Sequence, residues 1–225
     1  MTYKKGISIQ VSLGGYSFRI RTEGETRASG WLSPDRIFTA PEFQSRYDDV
    51  EIFLFTPKCT LVPAHFFDPS MARGILSEVV NLDEGDQVEY VDVPSVGGVM
   101  VYSRSIGETL SKVLSDTVLR SDGYKARVLP ELFAMLTAVE EIPEYNRIVA
   151  SYADGRLYLV VSQGKSLQLC NSFEAVDFTT AEYFIFLVMN KLQLNPEVST
   201  IYFRTPLESS QEMSLYRYFK AVEQI

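Results

Sequence analysis

The chain is poor in the residues that build metal centres and disulfides. It has one histidine, His65, and two cysteines, Cys59 and Cys170, in 225 residues. Structural zinc sites need three or four His and Cys ligands at set spacings, and no such partners flank His65. Both cysteines lie in apolar β-like runs, so we expect buried, reduced thiols. The composition therefore excludes a metal centre built from His and Cys.

Long apolar runs and an excess of basic residues are also missing. No segment approaches the roughly eighteen uninterrupted apolar residues of a membrane span, and residues 1–6 lack the apolar stretch of a signal peptide. The net charge is −8, and basic residues come closest to clustering at Lys4-Lys5 and at Arg19 and Arg21. Nucleic-acid phosphates require denser Lys and Arg. We expect a cytoplasmic protein that binds no nucleic acid and inserts into no membrane.

The sequence does contain a β-hairpin pattern that occurs twice. In residues 7–20 and 148–161, two β-forming runs flank a tight turn that ends in glycine. In the first copy apolar and polar residues alternate on both arms, which predicts strands with one buried face. Gly14-Gly15 is expected to supply the positive φ of a two-residue turn. Asp154-Gly155 is the usual signature of a type I′ turn.

The order of elements after residue 145 is typical of a ribonuclease H-like lobe. It predicts three antiparallel strands, a helix, a strand and a helix. A capping-box pattern at residues 179–182 opens a helix that is apolar on nearly every side, so we expect Phe186 and Leu187 to be buried. A second capping box at 209–212 opens a C-terminal helix that is predicted to run to Val222.

The first half of the chain begins in the same way and is longer. Residues 50–55 are almost continuously apolar, which indicates a central strand covered on both faces. A helix is predicted from Ile106 to Leu114, and Pro143 ends the helical region that follows. We therefore predict two lobes, residues 1–143 and 144–225.

Four segments carry a family resemblance: residues 7–20, residues 60–63 before a helix, residues 167–173, and residues 193–197 after the long helix. On these segments the chain resembles a bacterial family of uncharacterised proteins with an actin-like ATPase fold. The resemblance implies an α/β (α+β) protein with two ribonuclease H-like lobes, each a mixed sheet with helices. By fold analogy, its functional kin are the actin-like scaffolds of pilus assembly and secretion systems.

The resemblance also implies three nucleotide contacts, and this chain departs from the pattern at each. Actin-like ATPases place an Asp-x-Gly turn in each hairpin, where the carboxylate holds Mg²⁺ and the glycine lets amides approach phosphate. A Gly-Gly pair after the last strand normally lies against the adenosine. The degenerate positions here are Ser12 in place of the first Asp, Gly14, Gly15, a misplaced Asp154 directly before Gly155, and Arg204-Thr205 in place of the last glycines. We predict from them that the chain binds no cofactor.

No other catalytic pattern replaces these contacts. Ribonuclease H-like nucleases need a carboxylate on the first strand, and residues 7–12 contain no acid. Hydrolysis by a Ser or Cys nucleophile needs a base, and His65 is expected to be a partly buried structural residue. The glycine pairs lack the Lys-Ser/Thr of a phosphate-binding loop. The acidic clusters, residues 83–86 among them, are expected to be solvated caps and turns.

Two hypotheses stay open. The favoured one is a non-catalytic actin-like scaffold that binds an unidentified protein partner; the alternative is an ATPase that binds ATP-Mg between the lobes. Aromatic side chains are the usual anchors of protein interfaces. The candidate patches are Tyr216, Tyr218 and Phe219 near the C-terminus, and the loop around Phe38 and Phe43. The sequence leaves open whether the protein is a homodimer.

Overall fold

The structure is a computed structural model that describes residues 5–105, 108–118 and 120–225. It divides the chain into two compact units. Unit 1 comprises Met1–Cys59, Pro69–Val91 and Val101–Glu131, and unit 2 comprises Thr60–Asp68, Asp92–Met100 and Leu132–Ile225. The expected helix start at Ile106 lies outside the described residues, as do residues 1–4. The lobe boundary at residue 143 remains a prediction.

The strands and helices of the described residues follow in chain order. The strands are β1 (Gly6–Val11), β2 (Tyr16–Thr22), β3 (Glu25–Ala28), β4 (Asp49–Leu54), β5 (Cys59–Pro63), β6 (Val88–Val93), β7 (Gly98–Ser103), β8 (Val128–Pro130), β9 (Asn146–Ala153), β10 (Arg156–Gln163), β11 (Ser166–Glu174), β12 (Thr200–Phe203) and β13 (Ala221–Gln224). The α-helices are α1 (Ala72–Ser77), α2 (Glu108–Thr117), α3 (Glu131–Glu141), α4 (Phe178–Lys191) and α5 (Ser209–Leu215). Short 3-10 helices cover Pro34–Phe38, Pro41–Gln44, Ala64–Phe66, Pro69–Met71, Pro94–Val96 and Pro196–Val198.

The main sheets of the two units have the same topology. The order is β3-β2-β1-β4-β8 in unit 1 and β11-β10-β9-β12-β13 in unit 2. In each, the first three strands are antiparallel and the last two run parallel to the first. Both predicted hairpins are therefore confirmed, and each unit has the strand order of a ribonuclease H-like sheet. A third sheet has the order β5-β7-β6.

Strand β1 is buried on both faces, so the expectation of a single buried face is wrong. It lies between β2 and β4, and Gln10 in the strand and Ser12 directly after it are buried, as their apolar neighbours are. The alternation in sequence is real, but the polar positions face a second covered surface. Their side chains find hydrogen-bond partners there, which is what allows a polar group to be buried without a large cost.

The C-terminal segment corrects two expectations. Helix α5 ends at Leu215, and residues 221–224 form β13, parallel to β12, so Val222 lies in a strand. The capping box of α5 is formed by Glu208 and Gln211, one residue earlier than predicted. A capping-box pattern in sequence fixes the start of a helix only to within a residue or two.

Helix α4 corrects two further expectations. Its N-cap is Asp177, whose carboxylate accepts a hydrogen bond from the Thr180 amide at 2.7 Å, and not Thr179. The helix buries one stripe against the sheet, formed by Ala181, Ile185, Val188 and Met189, whereas Phe186 and Leu187 are half-buried. An apolar circumference therefore does not mean burial on every side here. Among the described residues, every helix is too short or too polar to cross a membrane.

A buried carboxylate fixes the turn at residues 83–86, which the sequence indicated as solvated. Asp86 is 7% exposed and accepts hydrogen bonds from Lys58 at 2.6 Å and Ser103 at 2.6 Å. Arg73 holds the same turn by donating to the Asp83 and Asp86 carbonyls. Burial alone would raise the pKa of Asp86, but hydrogen bonds from Lys58, Ser103 and the Asp83 amide outweigh it and lower the pKa to about 2. The ionised form is thus built into the fold.

Replacing this carboxylate should destabilise the protein. We expect Asp86→Asn to lower the free energy of unfolding by about 1–3 kcal/mol, because the charged hydrogen bonds to Lys58 and Ser103 are lost in a buried place. The folded-state pKa lies below the ordinary value of 3.8, so the stabilisation is complete above pH 4 and is lost as pH falls toward 2. Urea denaturation of both proteins between pH 7 and pH 2 measures this.

Asp83→Asn is the matched control, since the Asp83 side chain contacts the same Lys58 at 2.9 Å but is 90% exposed. It should change stability by less than about 0.5 kcal/mol. Equal losses in the two variants would contradict the assignment of Asp86 as the buried anchor.

Candidate functional site

The first candidate turn, residues 12–15, closes on itself. The Ser12 amide donates to the Gly15 carbonyl at 2.9 Å, and the Ser12 hydroxyl donates to the same oxygen at 3.3 Å. The turn leaves only Leu13 and Gly14 exposed. The position that holds a carboxylate in actin-like ATPases therefore carries a buried hydroxyl that is bonded within its own loop.

The sequence predicted that Gly15 is needed for a positive φ. The structure shows that it is needed because another backbone segment approaches it closely. A Cβ atom at Gly15 would lie 2.3 Å from the carbonyl oxygen of Leu32. That oxygen accepts a hydrogen bond from the Tyr16 amide, and the Leu32 amide donates to the Tyr16 carbonyl. Neither Gly14 nor Gly15 has positive φ, and the residues inside the turn are Leu13 and Gly14, one position earlier than expected. The missing side chain makes room for protein backbone.

A buried polar cluster that the sequence analysis missed lies beside this turn. The Gln10 amide nitrogen donates to Glu131 Oε1 at 2.8 Å, and the Ser17 hydroxyl donates to Gln10 Oε1 at 3.1 Å. Glu131 is 1% exposed and begins α3 directly after β8. Because β1 and β8 both run parallel to β4, their carboxyl ends meet at one edge of the sheet, where ligand sites of α/β folds usually lie. The sequence signal for this cluster is an acidic residue, Glu131, that directly follows a strand ending in proline.

The second candidate turn is a type I′ turn, as its sequence predicted. Asp154 has φ 51° and Gly155 has φ 67°, which is the left-handed pair that this turn needs. Asp154 is exposed, and the Gly155 carbonyl accepts a hydrogen bond from the Ala175 amide at 2.8 Å. The turn thus joins β9 to β10 and aligns the end of β11.

Arg204 and Thr205 lie at the carboxyl end of β12, at the same edge of the sheet of unit 2 as the Asp154 turn. The Arg204 amide donates to the Ala150 carbonyl at 3.0 Å, which extends the pairing of β12 with β9. Thr205 is fully buried, and its hydroxyl accepts from the Tyr152 amide at 3.0 Å. The Thr205 side chain therefore takes the place of a backbone acceptor for the Tyr152 amide. A glycine at this position would leave the backbone accessible to a ligand.

These residues do not fit an ATP-Mg complex of the actin type. The hydroxyls of Ser12 and Thr205 are both bonded to the protein backbone, and the space beside Gly15 is filled by Leu32. Among the residues that the structure describes, no three His, Cys, Asp or Glu side chains converge as a metal site would require. We therefore derive no step through a nucleotide or a metal.

The candidate nucleophile and base are placed differently from expectation. His65 is exposed in the 3-10 helix at Ala64–Phe66, with its ring 4.1 Å from that of Phe66, so it is not partly buried. Cys59 and Cys170 are half-buried and form no disulfide with each other. Burial raises the pKa of the Cys170 thiol to about 12, which keeps it protonated and a poor nucleophile at neutral pH.

Comparison with family models identifies the chain. The model for a protein of unknown function, DUF3822, matches residues 2–222. The chain belongs to the DUF3822 family. Among curated proteins, none matches the sequence. The resemblance to an uncharacterised bacterial family is thereby confirmed.

Solved structures with the same fold support the architecture of this DUF3822 protein. A protein of unknown function with an actin-like ATPase fold from Bacteroides thetaiotaomicron has a TM-score of 0.69 at 16% identity, over 98% of this chain and 90% of that one. The cytoplasmic domain of EpsL, an inner-membrane component of the type II secretion system of Vibrio cholerae, has 0.53 at 14%, over 91% and 84%. The PilM-PilN type IV pilus biogenesis complex has 0.53 at 12%, over 98% and 88%. The chain has an actin-like ATPase fold.

Filling the space at Gly15 should destabilise unit 1. We expect Gly15→Ala to lower the free energy of unfolding by about 2–4 kcal/mol, because the new methyl group would collide with backbone that cannot rotate away. Chemical denaturation measures the loss. Gly30→Ala is the control, since no atom lies within 4 Å of its Cβ position and its φ is not positive; it should change stability by less than about 0.5 kcal/mol. A neutral Gly15→Ala would contradict the close approach of Leu32.

Proposed function

We propose that this DUF3822 protein is a non-catalytic actin-like scaffold that acts in the cytoplasm by binding another protein. The observation that carries the proposal is the use of the nucleotide positions for internal hydrogen bonds. Ser12 closes its own turn, and Thr205 extends its own sheet. The Ser12 O–H cannot donate to a phosphate without leaving the Gly15 carbonyl, and the Thr205 oxygen is held by the Tyr152 amide. Neither hydroxyl carries the negative charge with which a carboxylate stabilises Mg²⁺.

The fold relatives support a scaffold role. Two of them are a secretion-system component, EpsL, and a complex between PilM and PilN. Both are similar in fold at low sequence identity, so they supply an analogy and not an assignment. They show that the same architecture occurs in proteins of multi-component assemblies. A protein partner for the present chain is consistent with that use.

A surface on unit 2 has the character of a protein-binding site. We call it the α5 surface; it consists of Met213, Tyr216 and Tyr218 in and directly after α5, which are 65%, 48% and 50% exposed, together with the half-buried Phe186 beside Tyr218. The Tyr218 ring meets the Phe186 ring edge-on at 4.9 Å. Large, rigid aromatic side chains bind with little loss of conformational entropy, which is why they anchor interfaces. Phe219, by contrast, is buried and belongs to the core.

The loop patch expected around Phe38 and Phe43 divides in the same way. Phe43 is 2% exposed and packs against the rings of Tyr16 and Phe18, whereas Phe38 is 70% exposed. A single exposed aromatic ring is common on protein surfaces and carries no argument. The α5 surface is therefore the stronger candidate of the two.

The purified protein should not bind ATP. Titration calorimetry with Mg-ATP at millimolar concentration should give no saturable heat, because the Ser12 and Thr205 hydroxyls are hydrogen-bonded to the backbone and Ser12 replaces the carboxylate that would hold Mg²⁺. Saturable binding tighter than roughly 100 μM, about 5.5 kcal/mol, would overturn the scaffold proposal in favour of the ATPase alternative.

Asp154→Asn makes this titration specific. Asparagine is favoured in a type I′ turn, so the variant removes the acidic side chain of the second hairpin turn without changing the turn itself. We expect the wild type and the variant to give the same flat titration. Binding by the wild type that the variant loses would show that the second turn does hold a nucleotide complex.

The α5 surface should be required for binding a partner. In a pull-down from the native host, a Met213→Gln/Tyr218→Gln variant should lose at least one protein that the wild type retains, because the variant removes apolar contact area at two positions that are at least half exposed. Tyr124→Gln is the control; Tyr124 is 73% exposed in unit 1 and should retain every partner. An unchanged set of bound proteins in the double variant would contradict the assignment of this surface.

A further inference from the structure

The two five-stranded sheets differ in how their edge strands are protected. Exposed edges can pair with other chains, and proteins usually blunt them with short strands, charged residues or proline. Strand β3 has four residues with two charges, β8 has three residues and a proline, and β13 has four residues with one charge. Strand β11 has nine residues, and the eight from Ser166 to Phe173 carry no charge and no proline. Of the four edge strands, β11 has by far the longest run without charge or proline.

The outer edge of β11 has backbone groups that face away from β10 and are not paired with a strand of the described residues. The Ala175 amide donates to the Gly155 carbonyl, and the register continues this pairing as Leu157 with Phe173 and Leu159 with Asn171. Hydrogen-bonding pairs alternate in an antiparallel ladder, so the amides and carbonyls of the intervening residues point away from β10. In the described part of the chain, no strand pairs with this side of β11.

Two features set the length of the edge that can pair. The register shifts between Val161 and Ser162, which places Gln168 in a β-bulge and limits the regular edge to residues 169–174. Within it the Asn171 side chain accepts a hydrogen bond from the Ser172 amide at 2.8 Å. The Ser172 amide faces away from β10, and its hydrogen-bond acceptor is this side chain because no neighbouring strand of the described residues supplies one. A partner strand would have to displace that exposed side chain.

An aromatic group continues this edge onto the helix above it. The ring of Phe173 in β11 stacks on Phe184 of α4 at 4.9 Å, and the Tyr183 ring lies 5.4 Å from Phe184. Tyr183 is 61% exposed. Backbone pairing groups and an exposed aromatic side chain therefore form one continuous surface, which we call the β11 edge: residues 169–174 with Tyr183 and Phe184.

We propose that the β11 edge pairs with the β11 edge of a second copy of this chain. The charge of the protein favours this occupant at this place. At a net charge of −8, two copies repel each other wherever their acidic surfaces meet, and the uncharged run of β11 avoids that cost. A two-fold axis makes the two strands antiparallel, so Glu174 at one end of the strand meets the uncharged part of the other copy.

The resulting dimer would have one continuous ten-stranded sheet formed by unit 2 of each copy. In this dimer the two α4 helices would lie on the same face of the joined sheet. Tyr183 and Phe184 of one copy would then lie near those of the other. Backbone hydrogen bonds would provide the pairing, and the aromatic rings would add apolar burial at its flank.

Sedimentation equilibrium of the full chain tests the proposal. The wild type should self-associate to a dimer between about 1 and about 100 μM. A Gln168→Lys/Asn171→Lys variant should raise the dimer dissociation constant at least tenfold, because both positions are exposed on β11 and lysine is a common guard of edge strands. The substitutions also reduce the net negative charge, which would favour non-specific association, so a loss of dimer reports on the edge itself.

The matched control carries two lysines on β3, the equivalent edge in unit 1. Thr26→Lys/Ala28→Lys places the same charges on exposed positions of the already protected strand and should leave the dissociation constant unchanged. Amide hydrogen exchange supplies a second measurement: protection of residues 169–174 should rise with wild-type concentration. Circular dichroism confirms that each variant is folded before it is compared.

Two outcomes would overturn the proposal. A wild type that stays monomeric over the whole concentration range would assign the β11 edge to a strand of another protein or to none. A dimer that survives both lysines on β11, with unchanged exchange at residues 169–174, would place the contact elsewhere on the surface.

Discussion

The parallel pairing of the first strand of each hairpin with a later strand is the constraint on which the rest of the structure depends. In unit 1 this is the pairing of β1 with β4, and in unit 2 that of β9 with β12. Each pairing places the hairpin strand at the centre of a sheet, buried on both faces. It also brings the carboxyl ends of the parallel strands to one edge, so that the hairpin turn and the end of the partner strand are neighbours. The chemistry of that edge follows from which side chains the chain places there.

At the carboxyl ends of the parallel strands in both sheets, polar side chains form hydrogen bonds with the protein itself. The Ser12 hydroxyl, the Thr205 hydroxyl and the Gln10–Glu131 pair all complete hydrogen bonds within a unit. A nucleotide site needs the opposite, namely donors and carboxylates that stay available until the ligand arrives. The internal bonds stabilise the fold, because a buried polar group without a partner costs about 1–3 kcal/mol. Structural use of these positions and nucleotide binding are therefore in competition, which is the physical basis of the scaffold proposal.

The sequence predicted what depends on local pattern. Both hairpins, the type I′ turn at Asp154-Gly155 and the central strand at 50–55 follow from alternation, turn chemistry and continuous apolar runs. It failed where long-range packing decides. The burial of Gln10 depends on Glu131, 121 residues away, and the role of Gly15 depends on Leu32. The predicted helix runs to Val222, whereas residues 221–224 form a strand, because the pairing of that strand with β12 cannot be read from its own sequence.

Local sequence also does not reveal which surface contacts a partner. The repeated fold helps here, because β3 and β11 can be compared directly. The two strands occupy the same place in two sheets of identical order, so the fold imposes the same exposure on both. Selection against unwanted pairing acts on both, yet only β3 is short and charged. One sheet thus serves as the reference for the other. Since the fold is held constant in this comparison, the uncharged length of β11 reflects what that edge contacts, and an edge left open in an acidic protein is best explained by a strand that closes it.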